Sequence, residues 1–212
     1  MATALKVRHQ RLEEFLAWER EQPQRYERVS GVIRMMIGGT IDHNRIALNV
    51  ADAFRRRLRD GDCEAFVNDV KVVTPAGDVM YPDVVVACGD IPGKATVLDA
   101  PVVIVEVLSE STAERDHGRK RWAYQTIPSL RHYVLVDQDE GGVEVTSPNL
   151  DGTWQSVILR DLRDRLELTA LKVEIGLEEV FARVAFPGTA ARSGAAAAPE
   201  RHAALDLRGA GD

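Results

Sequence analysis

Two valine-rich runs constrain this chain more than any other feature, because each carries a carboxylate where burial ordinarily forbids one. Asp83 opens the run Asp83–Cys88, and Glu106 lies inside Val102–Leu108. Runs of β-branched residues bounded by Gly, Pro or Asp read as buried strands, and an unpaired charge in such a place is costly. If the two strands are antiparallel neighbours joined by residues 89–100, a register that pairs Cys88 with Pro101 also pairs Asp83 with Glu106. Residues opposite each other in such a ladder share a sheet face, with Cβ atoms about 5 Å apart. Like charges that close raise one pKa unless a cation sits between them. Oxygen ligands suit magnesium, which keeps several waters and takes one or two protein carboxylates. In the competing reading, Asp83 begins its strand in a turn and Glu106 pairs with an arginine as a structural salt bridge. The residues alone leave both open.

The remaining elements alternate in type. Leu12, Phe15, Leu16 and Trp18 place apolar groups along one side of a helix over Val7–Glu21, which Pro23 stops. Tyr26–Val29 and Val32–Ile37 flank Ser30-Gly31, a two-residue hairpin signal, and Gly38-Gly39 ends the second strand. A helix capped by Asp42 follows, with Ile46, Val50, Phe54 and Leu58 recurring every fourth residue and Arg55, Arg56, Arg57 and Arg59 at its cationic end. A third valine-rich run, Ala65–Val73, reads as one further strand. Ser111 to Glu114 has capping-box spacing ahead of a helix over Thr112–Thr126, which ends before Pro128. His132–Val136 is another buried strand. Gly141-Gly142 turns into Val143–Thr146, and Trp154–Leu159 completes a peripheral antiparallel ribbon. A last helix covers Leu177–Val184. The whole predicts an α/β (α+β) fold, a central mixed sheet flanked by helices, in one domain over residues 1–188. The Ala/Gly-rich residues 189–212 have the composition of a flexible, solvated tail.

A chain of 212 residues, 45% hydrophobic, can bury one sizeable core. No apolar run approaches the roughly 18 residues of a membrane span, and Arg8, Arg11, Glu13 and Glu14 break any secretory apolar segment, so a cytoplasmic protein is expected. Cys63 and Cys88 show no paired spacing, and each reads as an ordinary small hydrophobe rather than half of a disulfide or a zinc ligand. The net charge of −6 excludes a protein coated in basic surface, so any nucleic-acid contact must come from a local patch.

Taken together, Tyr81-Pro82-Asp83, then Val105 to Ser109 with Ser111-Thr112, then Asp116, Lys120 and Tyr124, then Tyr133 to Asp137 resemble the Uma family of the PD-(D/E)XK nuclease superfamily. Tyr26-Glu27 and Asp42-His43-Asn44 match it too, and the likeness runs from the first helix through Phe181. The resemblance implies a restriction-endonuclease-like core in which Asp83 and Glu106 bind a divalent metal, magnesium or manganese. The superfamily pattern puts a lysine two residues after the glutamate, where this chain has Leu108. In the Uma family the lysine moves to the next helix, and Lys120 is the matching residue, one turn after Asp116 and one turn before Tyr124.

Hydrolysis of a phosphodiester needs a deprotonated water, a positioned phosphate and relief of charge on the phosphoryl oxygens, which metal and lysine supply. His43, opening its helix after a Gly-Gly turn, is a candidate to assist the leaving group or hold a phosphate. Glu27 is a candidate third carboxylate on the metal. Arg55, Arg56, Arg119 and Arg121 are candidate DNA contacts, and no reading helix or zinc finger is present. The expectation is a metal-dependent endonuclease acting on DNA, with a homodimer suited to cutting both strands. The alternatives are a non-catalytic nuclease-fold module for binding or assembly, favoured by Leu108, and a hydrolase of another phosphate ester.

Overall fold

The computed structural model describes residues 11–108 and 113–186. Helix α1 (Leu12–Arg20) leads into the hairpin β1 (Tyr26–Val29) and β2 (Val32–Met35). Ser30 and Gly31 both take positive φ, 50° and 75°, as a tight two-residue turn between strands demands. Helix α2 (Ile41–Arg57) follows. Its cap is Thr40 rather than Asp42: Thr40 keeps extended backbone, and its hydroxyl accepts from the His43 N–H at 3.1 Å.

The expected single strand over Ala65–Val73 is two, β3 (Cys63–Val67) and β4 (Lys71–Val73). Asn68 and Asp69 between them hold left-handed φ of 46° and 53°, which breaks the ladder and sends the chain into a second sheet. After β5 (Val79–Met80) come β6 (Val84–Cys88), β7 (Val97–Leu98) and β8 (Pro101–Leu108). Helix α3 (Ala113–Gln125) crosses to β9 (His132–Asp137), and β10 (Val143–Pro148), β11 (Trp154–Leu159), β12 (Arg165–Leu168), β13 (Val173–Gly176) and the short α4 (Leu177–Val180) complete the order. The proposed capping box at Ser111–Glu114 and the start of the first helix at Val7 fall outside what is described, as does the 189–212 tail.

Six strands form the central sheet in the order β11-β10-β9-β8-β6-β3. β6 runs antiparallel to β8, and β8 runs parallel to β9 across the α3 crossover, so the sheet is mixed. The ribbon of β10 and β11 is not detached; it extends this sheet through β9. A smaller sheet, β2-β1-β5-β4-β7, and the hairpin β12-β13, which the sequence reading did not anticipate, stand beside it. One face of the central sheet, with Val84, Val103, Val105 and Val134, packs on α2 through Ile46, Val50 and Phe54. The other, with Val85, Ile104 and Tyr133, packs on Tyr124 and Ile127. Both faces are covered, which is why these strands read as continuous apolar runs rather than as alternating ones.

Two details depart from expectation. Ala87, not Cys88, lies opposite Pro101, because the β6–β8 register shifts after Val86. Cys63 and Cys88 face each other across β3 and β6 and form a disulfide; the pairing depends on a long-range strand register that cysteine spacing does not reveal. Helix α1, meanwhile, buries Phe15 against Ile33 and Val79. It also inserts the carboxylate of Glu19, 1% exposed. Tyr81 donates its hydroxyl to Glu19 Oε1 at 2.7 Å, and Lys71 Nζ lies 3.1 Å from Oε2.

Candidate active site

The β6–β8 ladder ends at the pair Val84–Val105; Asp83 immediately precedes that end of β6 and Glu106 follows it on β8, near enough for the Asp83 charge to act on Glu106. The Val107 N–H donates to Asp83 Oδ2 at 2.7 Å, fixing that carboxylate at the mouth of the β6–β8 pair. Glu106, 8% exposed, accepts at Oε1 from the Tyr124 hydroxyl at 2.9 Å and from Lys120 Nζ at 3.3 Å. Lys120 and Tyr124 are one helical turn apart on α3, so both reach down from the same side.

Lys120 also donates to Glu27 Oε1 at 2.8 Å, and the Tyr81 N–H donates to the same oxygen at 3.1 Å. The fourth contributor is α2: His43 Nε2 lies 3.3 Å from Asp83 Oδ2. The Gly-Gly turn before it has a steric purpose, since a Cβ on Gly39 would stand 2.8 Å from His43 Cγ.

The electrostatics follow from crowding. Burial is the largest influence on Glu106 and pushes its pKa up to about 7; Asp83 and Glu27 add to the rise, while Lys120 and the Tyr124 hydroxyl oppose it. Burial works against the Lys120 ammonium, yet Glu106 and Glu27 outweigh it and hold its pKa above the usual lysine value. The bond to Asp83 is the largest influence on His43 and raises its pKa. Burial raises the Tyr124 phenol well above its ordinary range, so it remains a donor at any physiological pH.

Three carboxylates thus share one ammonium and one imidazole. Among the described residues, Asp83 Oδ1 and Glu106 Oε2 receive no hydrogen bond. No group of three or more His, Cys, Asp or Glu side chains among these residues is arranged to hold a metal ion. The Asp83–Glu106 pair nonetheless fits a hard divalent cation that keeps most of its water: two oxygen donors, negative charge in excess, and one or two carboxylates as the ordinary protein contribution for magnesium.

Asp83, Glu106, Lys120, His43 and Glu27 are therefore brought together, while the arginines scatter. Arg55 and Arg56 lie at the far end of α2, about 20 Å along the helix from His43. Arg56 is engaged with Asp52 and with Glu179, the latter at 3.0 Å. This removes both from the neighbourhood of the site, because the periodicity that places them on one helix also places them three turns and more from its start. Arg121 is bonded to Glu144 at 2.6 Å, and Arg119 is exposed on α3. The side chains of Arg115 and Asp116 lie outside the described residues. Thr40 has no signal of its own in the sequence; Gly39 reads there only as the end of a strand, and Tyr124 only as a motif residue one turn after Lys120, so that its bond to Glu106 and the contact of Gly39 with His43 emerge from the structure.

A mixed sheet that sets an aspartate near a glutamate, with a lysine lowered onto the glutamate from the next helix, defines a nuclease fold of the restriction-endonuclease type. The chain belongs to the Uma2 family, described as "Putative restriction endonuclease", whose profile matches residues 12–178. It is 32% identical over 176 residues to the uncharacterized protein slr1290 of Synechocystis sp., covering 82% of this chain and 92% of that one. A second protein of that organism, the uncharacterized sll1609, is 29% identical over 164 residues, with 76% and 93% coverage. The crystal structure of a "putative nuclease belonging to DUF820" from Anabaena variabilis superimposes with a TM-score of 0.68, over 80% of this chain and 96% of that one, at 17% identity. That likeness is one of fold. No helix among the described residues is long and apolar enough to cross a membrane.

Proposed function

We propose that the chain is a metal-dependent endonuclease that hydrolyses phosphodiester bonds of DNA. The observation that carries this reading is the buried meeting of Glu106 with Lys120 at 3.3 Å, at the end of the β6–β8 ladder beside Asp83. An acidic pair and an amine in a largely apolar setting are the parts that phosphoryl transfer to water requires. Asp83 Oδ1 and Glu106 Oε2 would hold magnesium or manganese. When bound, such an ion supplies Lewis acidity and lowers the pKa of water at the site.

The chain's own groups do the rest. The Lys120 ammonium, held protonated by Glu27 and Glu106, offsets the negative charge that gathers on the phosphoryl oxygens. Glu27 fixes the amine in place, with Tyr81 fixing Glu27. His43, whose proton Asp83 helps retain, would give that proton to a departing sugar oxygen. Arg119, exposed on α3, would meet the DNA backbone.

Plasmid and single-stranded DNA incubated with magnesium or manganese should be cut by the wild type. Glu106→Ala and Lys120→Ala should each lose activity by about two orders of magnitude or more. Equal cleavage by all three proteins would reject the assignment. Manganese binding by titration calorimetry, lost in Asp83→Ala, tests the metal separately from the reaction.

A further inference from the structure

Beside Asp83 and His43 lies a cleft of about 440 Å³, bounded by the β2–α2 turn, the start of α2 and the Asn68-Asp69 turn. Three features of it bear on the form of the substrate. The first is size: about 440 Å³ is room for one molecule of the size of a nucleobase. The second is charge. Two cations line the cleft, and both already face carboxylates, Arg25 to Asp69 at 3.3 Å and His43 to Asp83 at 3.3 Å. A surface that follows both phosphate backbones of a duplex needs more available arginine or lysine than one nucleotide does, and among the described residues of this lining the two cations are already paired.

The third is the character of the wall. Met36 and Ile37, 36% and 60% exposed, stand in it, and Ile41, two residues before His43, is 73% exposed. A base taken out of its stack is held between aromatic or apolar side chains, and Met36 and Ile37 are of the apolar kind. The amides of Gln24 and Asn44, also in the wall, each present a donor and an acceptor, as a base edge does.

We propose that this cleft receives one unpaired base adjoining the bond to be cut, so that the protein acts on single-stranded or locally unpaired DNA in preference to intact duplex. This rests on the nuclease reading above and adds the form of the substrate to it. The base meets Met36, Ile37 and the Asn44 amide, all of which line the cleft, and its phosphate reaches Asp83 in the same lining. A paired base must first leave its stack to enter, which penalises duplex.

A short labelled oligonucleotide tests this as a single strand, as a perfect duplex and as a duplex with a central mismatch bubble. Binding is followed by anisotropy in EDTA and cleavage with manganese. The single strand and the bubble should be bound and cut about tenfold better than the duplex. Ile37→Ala and Asn44→Ala should each weaken single-strand binding by about tenfold and leave the weak duplex binding unmoved. Should Ile37→Ala not fold, Asn44→Ala decides alone. Duplex bound and cut as well as single strand, or single-strand affinity untouched by these substitutions, overturns the inference and leaves the nuclease reading standing. DNA in no form bound or cut overturns both.

Discussion

Tyr124 donates its hydroxyl to the same oxygen of Glu106 that faces Lys120, at 2.9 Å against 3.3 Å for the amine. Both partners are thus gathered on one oxygen, Oε1. Tyr124→Phe removes a donor from a buried carboxylate without changing the packed volume of the ring. A loss of about 1–2 kcal/mol in denaturant unfolding is expected. Weaker manganese binding in calorimetry should accompany it, because the hydroxyl helps keep Glu106 ionised. Unfolding and binding both unchanged would show that the hydroxyl neither supports nor orients the glutamate.

Gly39 and His43 are similarly bound together. A methyl group at Gly39 would come within 2.8 Å of His43 Cγ and 3.2 Å of its Cβ, so the ring cannot stay where it meets Asp83. Since Asp83 is what raises the His43 pKa, Gly39→Ala should lower it toward 6.5, as read by NMR titration of the metal-free protein. Cleavage should fall in the same variant, while the exposed turn bears little of the stability. A His43 titration that does not move would separate the ring's position from the glycine.

His132 is a pH-sensitive element of the fold, remote in role from the site. Its Nε2 accepts from the Ala170 N–H at 3.2 Å, which places the ring proton on Nδ1, facing Ser147 Oγ at 2.8 Å. Burial, and then the charge of Arg131, bring its pKa from 6.5 down to about 4. The folded value lies below the unfolded one. Its stabilising contribution is therefore whole above pH 6.5 and drains as the pH falls toward 4, where the unfolded chain takes up the proton first. The ceiling is about 3 kcal/mol. Unfolding free energies of wild type and His132→Gln, compared across pH 4–7, should converge in that window; a constant difference would refute the assignment.

The Cys63–Cys88 disulfide joins the outermost strand β3 to β6 and closes a loop with a sequence separation of 25. Cys63→Ser, or a reductant added to the wild type, should lower stability by about 3 kcal/mol. Thermal scans of the variant should not respond further to reductant. A wild type insensitive to reductant would show that the bond contributes nothing.

Local chemistry made much of this arrangement readable before any coordinates. The Ser30-Gly31 turn, the four-residue rhythm of α2 and the valine runs of β6 and β8 state their conformations within a few residues, and Lys120 and Tyr124 announce a shared face by spacing. Asp83 and Glu106 were found together because the register near them holds. The displacement beyond Val86 affects only the far end of the pair. What stayed hidden depends on distant parts of the chain. Neither the partnership of Cys63 with Cys88 nor that of Arg56 with Glu179 has a local signature. The division of 65–73 into two strands turns on two non-glycine residues in left-handed backbone, which no hydrophobic pattern records.

The carboxylate that α1 carries inward has a practical consequence for anyone shortening this protein. Lys71 and the Tyr81 phenol both rely on Glu19, and the Tyr81 backbone in turn steadies Glu27 beneath the lysine of α3. A truncation starting at the first strand would strand an ammonium under the small sheet with no counter-ion. Through Tyr81, helix α1 is structurally joined to the cluster of Glu27 and Lys120 that it precedes in the chain.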